Sequence, residues 1–406
     1  MDKPILARIL REYKTPLYCF DIIELQQRIS QLRQQLPAKV KMCYAAKANT
    51  FILKEIEQDI DYYEICSPGE LDICRHLDIP LNKVVLSGVY KNKNDLQKIM
   101  KKQEDIKIYT VESLQQLLDL ARLSENHCSH LPVLIRLTSG NQFGVDEESL
   151  RYIIENRQHY PCLDIKGIQY FSGTQKHSLK RLEKEIIHMV ELIGELASQY
   201  DFHCKVLEYG PGLPIDYFSG SDFDEKMHLA QFSALLEKVP EDIEIVLEIG
   251  RSIAAGCGCY LTRIVDIKMN NDVNFAIVDG GIHHLTYYGQ SMAMKVPQLE
   301  VYRQDTDEFL NITDGKPWNI CGSLCTINDI LIKQLPVSKL RLDDLFIFKN
   351  TGAYCPTEGI SLFLTRDLPD IIFVKNQQIQ SVRLMKKTSF FNEPHYMIVQ
   401  EEIRNG

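Results

Sequence analysis

Long apolar runs are missing from this sequence. None reaches the roughly 18 residues that a membrane-spanning helix needs, and no signal pattern heads the chain. An excess of positive charge is missing too. Lysine and arginine number 46 against 55 acidic residues, for a net charge of −9 and an isoelectric point near 5.7. That balance excludes the basic footprint of a nucleic-acid or anionic-membrane binder. Zinc-type cysteine spacing is absent. The twelve cysteines are scattered, and Cys43, Cys66 and Cys162 fall in apolar strand-like runs. The nearest pairs, Cys257/Cys259 and Cys321/Cys325, lack the two-residue gap and the second half of a zinc site. Thiols so placed behave as small apolar side chains, and a reducing cytoplasm is the expected compartment. Repeats, low-complexity tracts and Pro/Gly/Ser linkers are also lacking, so domains are expected to pack tightly.

What is present is enough chain for two domains: 406 residues, 45% hydrophobic and 25% charged, the make-up of a soluble globular protein. A helical pattern, a strand at 16–20 and an amphipathic helix to about Gln35 come first. A rhythm then sets in, with short apolar runs at 40–47, 62–67, 83–88, 106–111, 132–138, 165–171, 205–210 and 244–250. Segments of helical period lie between them, such as ESLQQLLDLARL and LKRLEKEIIHMVELIGELA. Eight such units in about 210 residues predict a closed (β/α)8 TIM-type barrel, each strand followed by a helix except the last. An open doubly wound sheet is the alternative, and its Gly-x-Gly-x-x-Gly turn after the first strand is missing. From about Cys257 the texture becomes strand-like with turns (CYLTRIVDIKM, VNFAIVDGG, LDDLFIFKN, IIFVKN, QSVRLMKK), which predicts a second, mostly β, β-barrel-like domain. The expected division is a barrel over 25–255 and a β domain formed by 1–24 with 256–406.

In such a barrel, ligands sit at the C-terminal ends of the strands. Those ends carry Lys47, Ser67, Gly88, Arg136, Ser172-Gly173-Thr174-Gln175, Tyr209-Gly210-Pro211-Gly212 and Glu248-Ile249-Gly250-Arg251. Burial disfavours the ammonium form of Lys47 and lowers its pKa. The residue either snorkels to the surface just past its strand or is a desolvated amine poised for a Schiff base. Hydroxyls after glycine, a Gly-x-Gly loop and an arginine are what a phosphate dianion needs. A ligand that uses both lysine and phosphate cradle is pyridoxal 5'-phosphate (PLP). His283 and His284 resemble a metal pair, but neighbours on a strand point to opposite faces, and no metal is expected.

The order of motifs resembles the fold-type III PLP-dependent decarboxylases, the group of ornithine, arginine and diaminopimelate decarboxylases. The motifs are YAAKAN (44–49), EICSPGEL (64–71), QFGV (142–145), GIQYFSGTQ (167–175), EYGPGLPIDY (208–217), LEIGRSI (247–253), VDGGIHHL (278–285), CGSLCTINDIL (321–331) and GAYC (352–355). The segments GSLCTINDIL and GAYC to LPDIIF look closest to the siderophore-pathway branch, which decarboxylates diamino acids joined to citrate. The resemblance implies that Lys47 carries the cofactor and that Glu248 faces the pyridine nitrogen and keeps the ring protonated. It also implies that Arg251, Thr174 and the amides near Gly210 and Gly212 hold the phosphate, with Tyr354 nearby. Cys325, on its own residues a buried apolar thiol as readily as an acid, would reach the neighbouring subunit's site in a homodimer and protonate the product. Arg136 and Thr326 are candidate substrate contacts.

Two departures stand out. Phe171 takes the place of the histidine that this family lays over the pyridine face. Thr326 takes the place of an acidic residue that reads a distal ammonium, and Lys295 and Arg303 do not match the arginine set for a diaminopimelate carboxylate. A modified or conjugated amino acid is therefore expected rather than free ornithine or diaminopimelate. A PLP racemase, which pairs the pyridine nitrogen with arginine, and a non-catalytic PLP-binding protein are the alternatives.

Overall fold

The computed structural model describes residues 2–394; residues 395–406 of the expected β domain lie outside them. The chain begins with a helix (Lys3–Glu12), strand β1 (Leu17–Asp21) and a helix (Ile22–Gln35) whose Asp21 cap accepts from the Glu24 amide. Eight parallel strands then close into a barrel: β2 (Val40–Ala45), β3 (Tyr62–Ile65), β4 (Val84–Leu86), β5 (Ile108–Val111), β6 (Leu131–Leu137), β7 (Leu163–Phe171), β8 (Val206–Gly210) and β9 (Glu244–Ile249). Each pairs with the next and β9 pairs with β2, so no edge is left open.

Alternation along each strand builds two separate apolar regions. Met42 and Tyr44 belong to the large core under the helices, whereas Cys43 joins Val85, Ile108, Leu134, Val206 and Val246 inside the barrel. Glu64, Glu208 and Glu248 are also buried, and Cys43 and Glu248 are paired across β2 and β9. One expected helix is replaced. After β2 come three single 3-10 turns (Ala46–Ala48, Thr50–Ile52, Lys54–Ile56). Asn49 breaks the run, for its side chain accepts from the Phe51 amide and donates to Gly352 O at 2.8 Å.

The remaining strands are β10 (Gly258–Asn270), β11 (Val273–Val278), β12 (Leu299–Arg303), β13 (Glu308–Phe309), β14 (Lys316–Cys321), β15 (Ile330–Val337), β16 (Leu345–Phe348), β17 (Asp370–Lys375) and β18 (Gln378–Arg383). With β1 they form one ten-stranded sheet, ordered β13-β12-β16-β10-β1-β17-β18, from which β11, β14 and β15 branch beyond β10. The sheet is open and branched rather than barrel-like. β1 lies antiparallel to β10 and parallel to β17, which ties the start of the chain into the C-terminal sheet.

Candidate active site

Lys47 leaves the barrel wall on the turn Ala46–Ala48, between two buried alanines. Its Nζ donates to Glu64 Oε2 and, at 2.9 Å, to Glu248 Oε1. Cys66 Sγ lies 3.9 Å from the same nitrogen and 3.3 Å from Glu64 Oε1. The Lys47 side chain is 38% exposed, against 2% for Glu64 and 7% for Glu248. This corrects the expectation of a lowered lysine pKa. Desolvation pulls it down, but Glu248 and Glu64 together outweigh burial and hold the ammonium well above the ordinary lysine range. Burial, then the neighbouring Glu64 charge, push Glu248 up to about 7. Glu64 is lowered, because the Lys47 ammonium and its hydrogen bonds overcome the opposing effect of burial.

The second cluster is cationic. Arg251 follows β9, and its guanidinium donates to Tyr217 OH at 2.7 Å and Thr174 Oγ1 at 3.3 Å. The Tyr354 ring lies 4.4 Å from Arg251 Cζ. Arg251 makes no ion pair among the described residues, although it is only 7% exposed. Two glycines bring the loops after β7 and β8 into contact. Gly212 sits at φ +59°, where a Cβ would lie 2.2 Å from Gly173 O; at Gly210 a Cβ would lie 2.3 Å from Phe171 Cδ2. The Phe171 ring thus rests on Gly210.

The loop after β16 contributes Tyr354, which caps the short helix Cys355–Glu358. Its amide donates to Ala48 O at 2.7 Å, and a Cβ on Gly250 would lie 3.4 Å from its hydroxyl. An amine flanked by two carboxylates, together with a buried unpaired guanidinium beside a hydroxyl and glycine turns, is the donor set PLP requires: an attachment point, a partner for the pyridine nitrogen and a dianion cradle.

Not all expected residues join this site. Cys325 is exposed in the 322–329 loop between β14 and β15, and shares no hydrogen bond or ion pair with the Lys47 cluster among the described residues. The Asp329 carboxylate organises that loop, accepting from the amides of Leu324 (2.7 Å) and Ile282 (2.8 Å). Thr326 lies in the same loop. Arg136 is paired with Glu112 at 3.1 Å and stacked 4.8 Å from the Phe143 ring centroid. The premise about His283 and His284 is corrected: they occupy a turn after β11, not a strand, and their rings lie 3.8 Å apart. His284 bonds Tyr260 OH and Asp367 O, and no group of three metal-ligating side chains occurs among the described residues.

Glu64, Cys66, Tyr217 and Glu208 were not singled out from the sequence. Glu208 is fully buried, and neither carboxylate oxygen has a hydrogen bond of good geometry. Burial first, then Glu248 and Glu64, push its pKa well above the carboxylate range. The available signal was a single acid inside each of two short apolar runs, YYEI and VLEYG, where a charge is costly unless it is functional or neutral.

A (β/α)8 barrel with an amine, a buried carboxylate and an anion cradle at one mouth defines a cofactor-dependent enzyme of the pyridoxal type. Residues 22–255 match the family model described as pyridoxal-dependent decarboxylase, pyridoxal binding domain. The chain belongs to the pyridoxal-dependent decarboxylase family, in its fold-type III group, and PLP is its cofactor. It is 24% identical to an L-glutamyl-[BtrI acyl-carrier protein] decarboxylase of Niallia circulans, over 94% of each chain. It is 24% identical to a 2-[(L-alanin-3-ylcarbamoyl)methyl]-2-hydroxybutanedioate decarboxylase of Staphylococcus aureus, over 88% of this chain and 93% of that one. The fold matches a diaminopimelate decarboxylase of Helicobacter pylori solved with L-lysine, with a TM-score of 0.82, 19% identity, and 95% and 98% coverage.

Proposed function

We propose that this enzyme removes the α-carboxylate of a diamino acid or of an amino acid held in a conjugate, such as one made for a siderophore or another specialised metabolite. The observation that carries the reading is the pairing of Lys47 with buried Glu248 at one side of the mouth and unpaired Arg251 beside Thr174 at the other. The similarity to two decarboxylases of conjugated amino acids supports the substrate class, as does Thr326 in place of an acidic reader.

Lys47 would hold the cofactor; Glu248 would keep a proton at its pyridine nitrogen; Arg251, Thr174 and the amides near Gly210 and Gly212 would hold its phosphate, with Tyr354 alongside. Bound there, PLP supplies an electron sink for the pair left behind when carbon dioxide departs. Lys47 must first lose its proton, and Glu248 and Glu64 are the acceptors in contact with it. Phe171, packed on Gly210, would offer the cofactor ring an apolar face and no hydrogen bond. Arg136, at the end of β6, and Thr326, brought in with Cys325 by a second copy, are the proposed substrate contacts.

Cys325, exposed in its own chain, reaches the site of a second copy and delivers a proton to Cα; the active form is a cytoplasmic homodimer. In this reading residues 25–255 form the barrel domain, and 1–24 with 256–406 form the β domain. The test is a screen for carbon dioxide release from free and conjugated diamino acids, with Lys47→Ala as the blank. Release from a conjugate and not from the blank supports the assignment; equal release from both overturns it.

A further inference from the structure

Glu185, on the long helix Leu179–Tyr200, lies outside the cluster described above yet bonds residues at both ends of the loop after β7 and the last tyrosine of β8. Its carboxylate is 9% exposed and accepts four hydrogen bonds. The donors are Lys176 Nζ (2.7 Å), Tyr209 OH (2.7 Å), Arg181 Nε (3.1 Å) and Ser172 Oγ (2.5 Å). Ser172 and Lys176 bracket the loop that carries Thr174, and Tyr209 leads into the Gly210–Gly212 turn.

Lys176 extends the tie. Its side chain is 1% exposed; its Nζ reaches Gly210 O at 3.4 Å and its amide donates to Gly212 O at 2.9 Å. Arg181 closes the ring by donating to Ser172 O at 2.7 Å. Gln175 pairs with the Ile215 backbone in both directions, at 2.7 and 2.9 Å. The two loops meet so closely that Gly212 admits no Cβ against Gly173 O. A change in this network must therefore displace Thr174 relative to Arg251, which are joined at only 3.3 Å.

We infer that the buried Glu185–Lys176 pair is a positioning element for phosphate binding, locking the loop after β7 onto the loop after β8 so that Thr174 and the glycine amides converge with Arg251. Buried pairs of this kind seldom add net stability over an apolar pair of similar volume; what this one supplies is a further, charged tie that reinforces the register set by Gln175 and the Lys176 amide. The carboxylate charge suits that task, because ionised acceptors make shorter, stronger hydrogen bonds to several donors at once. The pKa of Glu185 agrees: burial raises it, but the bonds from Lys176, Ser172 and Tyr209 bring it below the ordinary range.

The inference rests on reading Arg251 and Thr174 as the phosphate site. Its test is therefore made on the cofactor-free full-length chain, by measuring Kd for PLP and for inorganic phosphate together with the thermal midpoint of each variant. Glu185→Gln keeps the shape and removes the charge. Lys176→Met/Glu185→Leu removes the pair while leaving no unpaired buried ion, and serves where the single change fails to fold. Arg251→Met reports on the phosphate site itself.

The expected result is a loss of phosphate and PLP affinity of about tenfold in the glutamate variants, the size of one lost charge-assisted contact. In the double variant the affinity falls even though the thermal midpoint is kept. A merely structural pair would move the midpoint and not the phosphate Kd. If Arg251→Met weakens phosphate and both Glu185 variants bind it like wild type, the positioning role is overturned while the site stands. If Arg251→Met also binds phosphate normally, the site reading falls and the positioning role with it.

Discussion

Replacing Glu208 by glutamine isolates the most exacting electrostatic feature of the barrel interior. The side chain is fully buried and neither oxygen is hydrogen-bonded in good geometry. The facing ionisable groups are Glu248 on β9, Glu64 on β3, Cys43 on β2 and the Lys47 ammonium; Gln169, its register partner on β7, is neutral. Burial and the two carboxylates make Glu208 a neutral acid, with its folded pKa raised well above the unfolded value.

The sign follows from linkage. Below the unfolded pKa, near 4.3, both states carry the proton and the pH has no leverage. Above it the unfolded chain releases the proton while the folded chain retains it, so stability falls by about 1.4 kcal/mol for each pH unit. The fall begins as pH rises through the unfolded pKa and continues until the folded carboxyl itself ionises. Glutamine has no such proton, and every other group cancels in the comparison. Urea unfolding of wild type and Glu208→Gln at half-unit pH steps should therefore show the variant gaining on wild type as pH rises above the unfolded pKa. Parallel pH profiles would refute the neutral-acid assignment, and a variant that loses ground with rising pH would reverse its sign.

Three further outcomes are expected. Holoenzyme treated with borohydride should carry the cofactor fixed on the peptide containing Lys47, as mass spectrometry reads it, and Lys47→Ala should carry none. Cys325→Ala should still release carbon dioxide but divert product towards the ketone or aldehyde with pyridoxamine phosphate, because the proton donor at Cα is gone; product analysis by chromatography checks the split. Mixing Lys47→Ala with Cys325→Ala subunits, neither of which forms the normal amine well alone, should restore amine formation through one intact site per mixed dimer, and no recovery despite proven subunit exchange would count against a shared site.

The eight barrel strands are legible in the sequence because apolar runs broken by helical period leave few alternatives, and every run at 40–250 overlaps an observed strand. The strand ends are legible too, since ligand-bearing residues in a parallel barrel collect there. The acids within strands are not. Glu64 and Glu208 look like breaks in an apolar run until closure of the barrel turns them inwards beside Glu248. The lysine pKa runs opposite to the sequence expectation for the same reason: desolvation can be argued from one residue's neighbours in sequence, whereas the two carboxylates that reverse it come from β3 and β9. The turn structure after β2 depends on Asn49 reaching Gly352, a contact between residues 303 positions apart. His283 and His284 follow the strand-like run VNFAIVDGG, and the glycines end that strand before them. The anion cradle is readable as residue types, but Tyr217 joins Arg251 only through packing of loops that follow different strands.

The central claim is loss of an α-carboxylate at the Lys47 site, and the most direct measurement is one turnover in deuterated solvent with substrate labelled at that carboxylate. Positioning of the bond by the Lys47, Glu248 and phosphate frame predicts labelled carbon dioxide and an amine with one deuterium at Cα. Substrate recovered with its carboxylate intact and deuterium at Cα, and no labelled carbon dioxide, would contradict the account and point to racemisation instead.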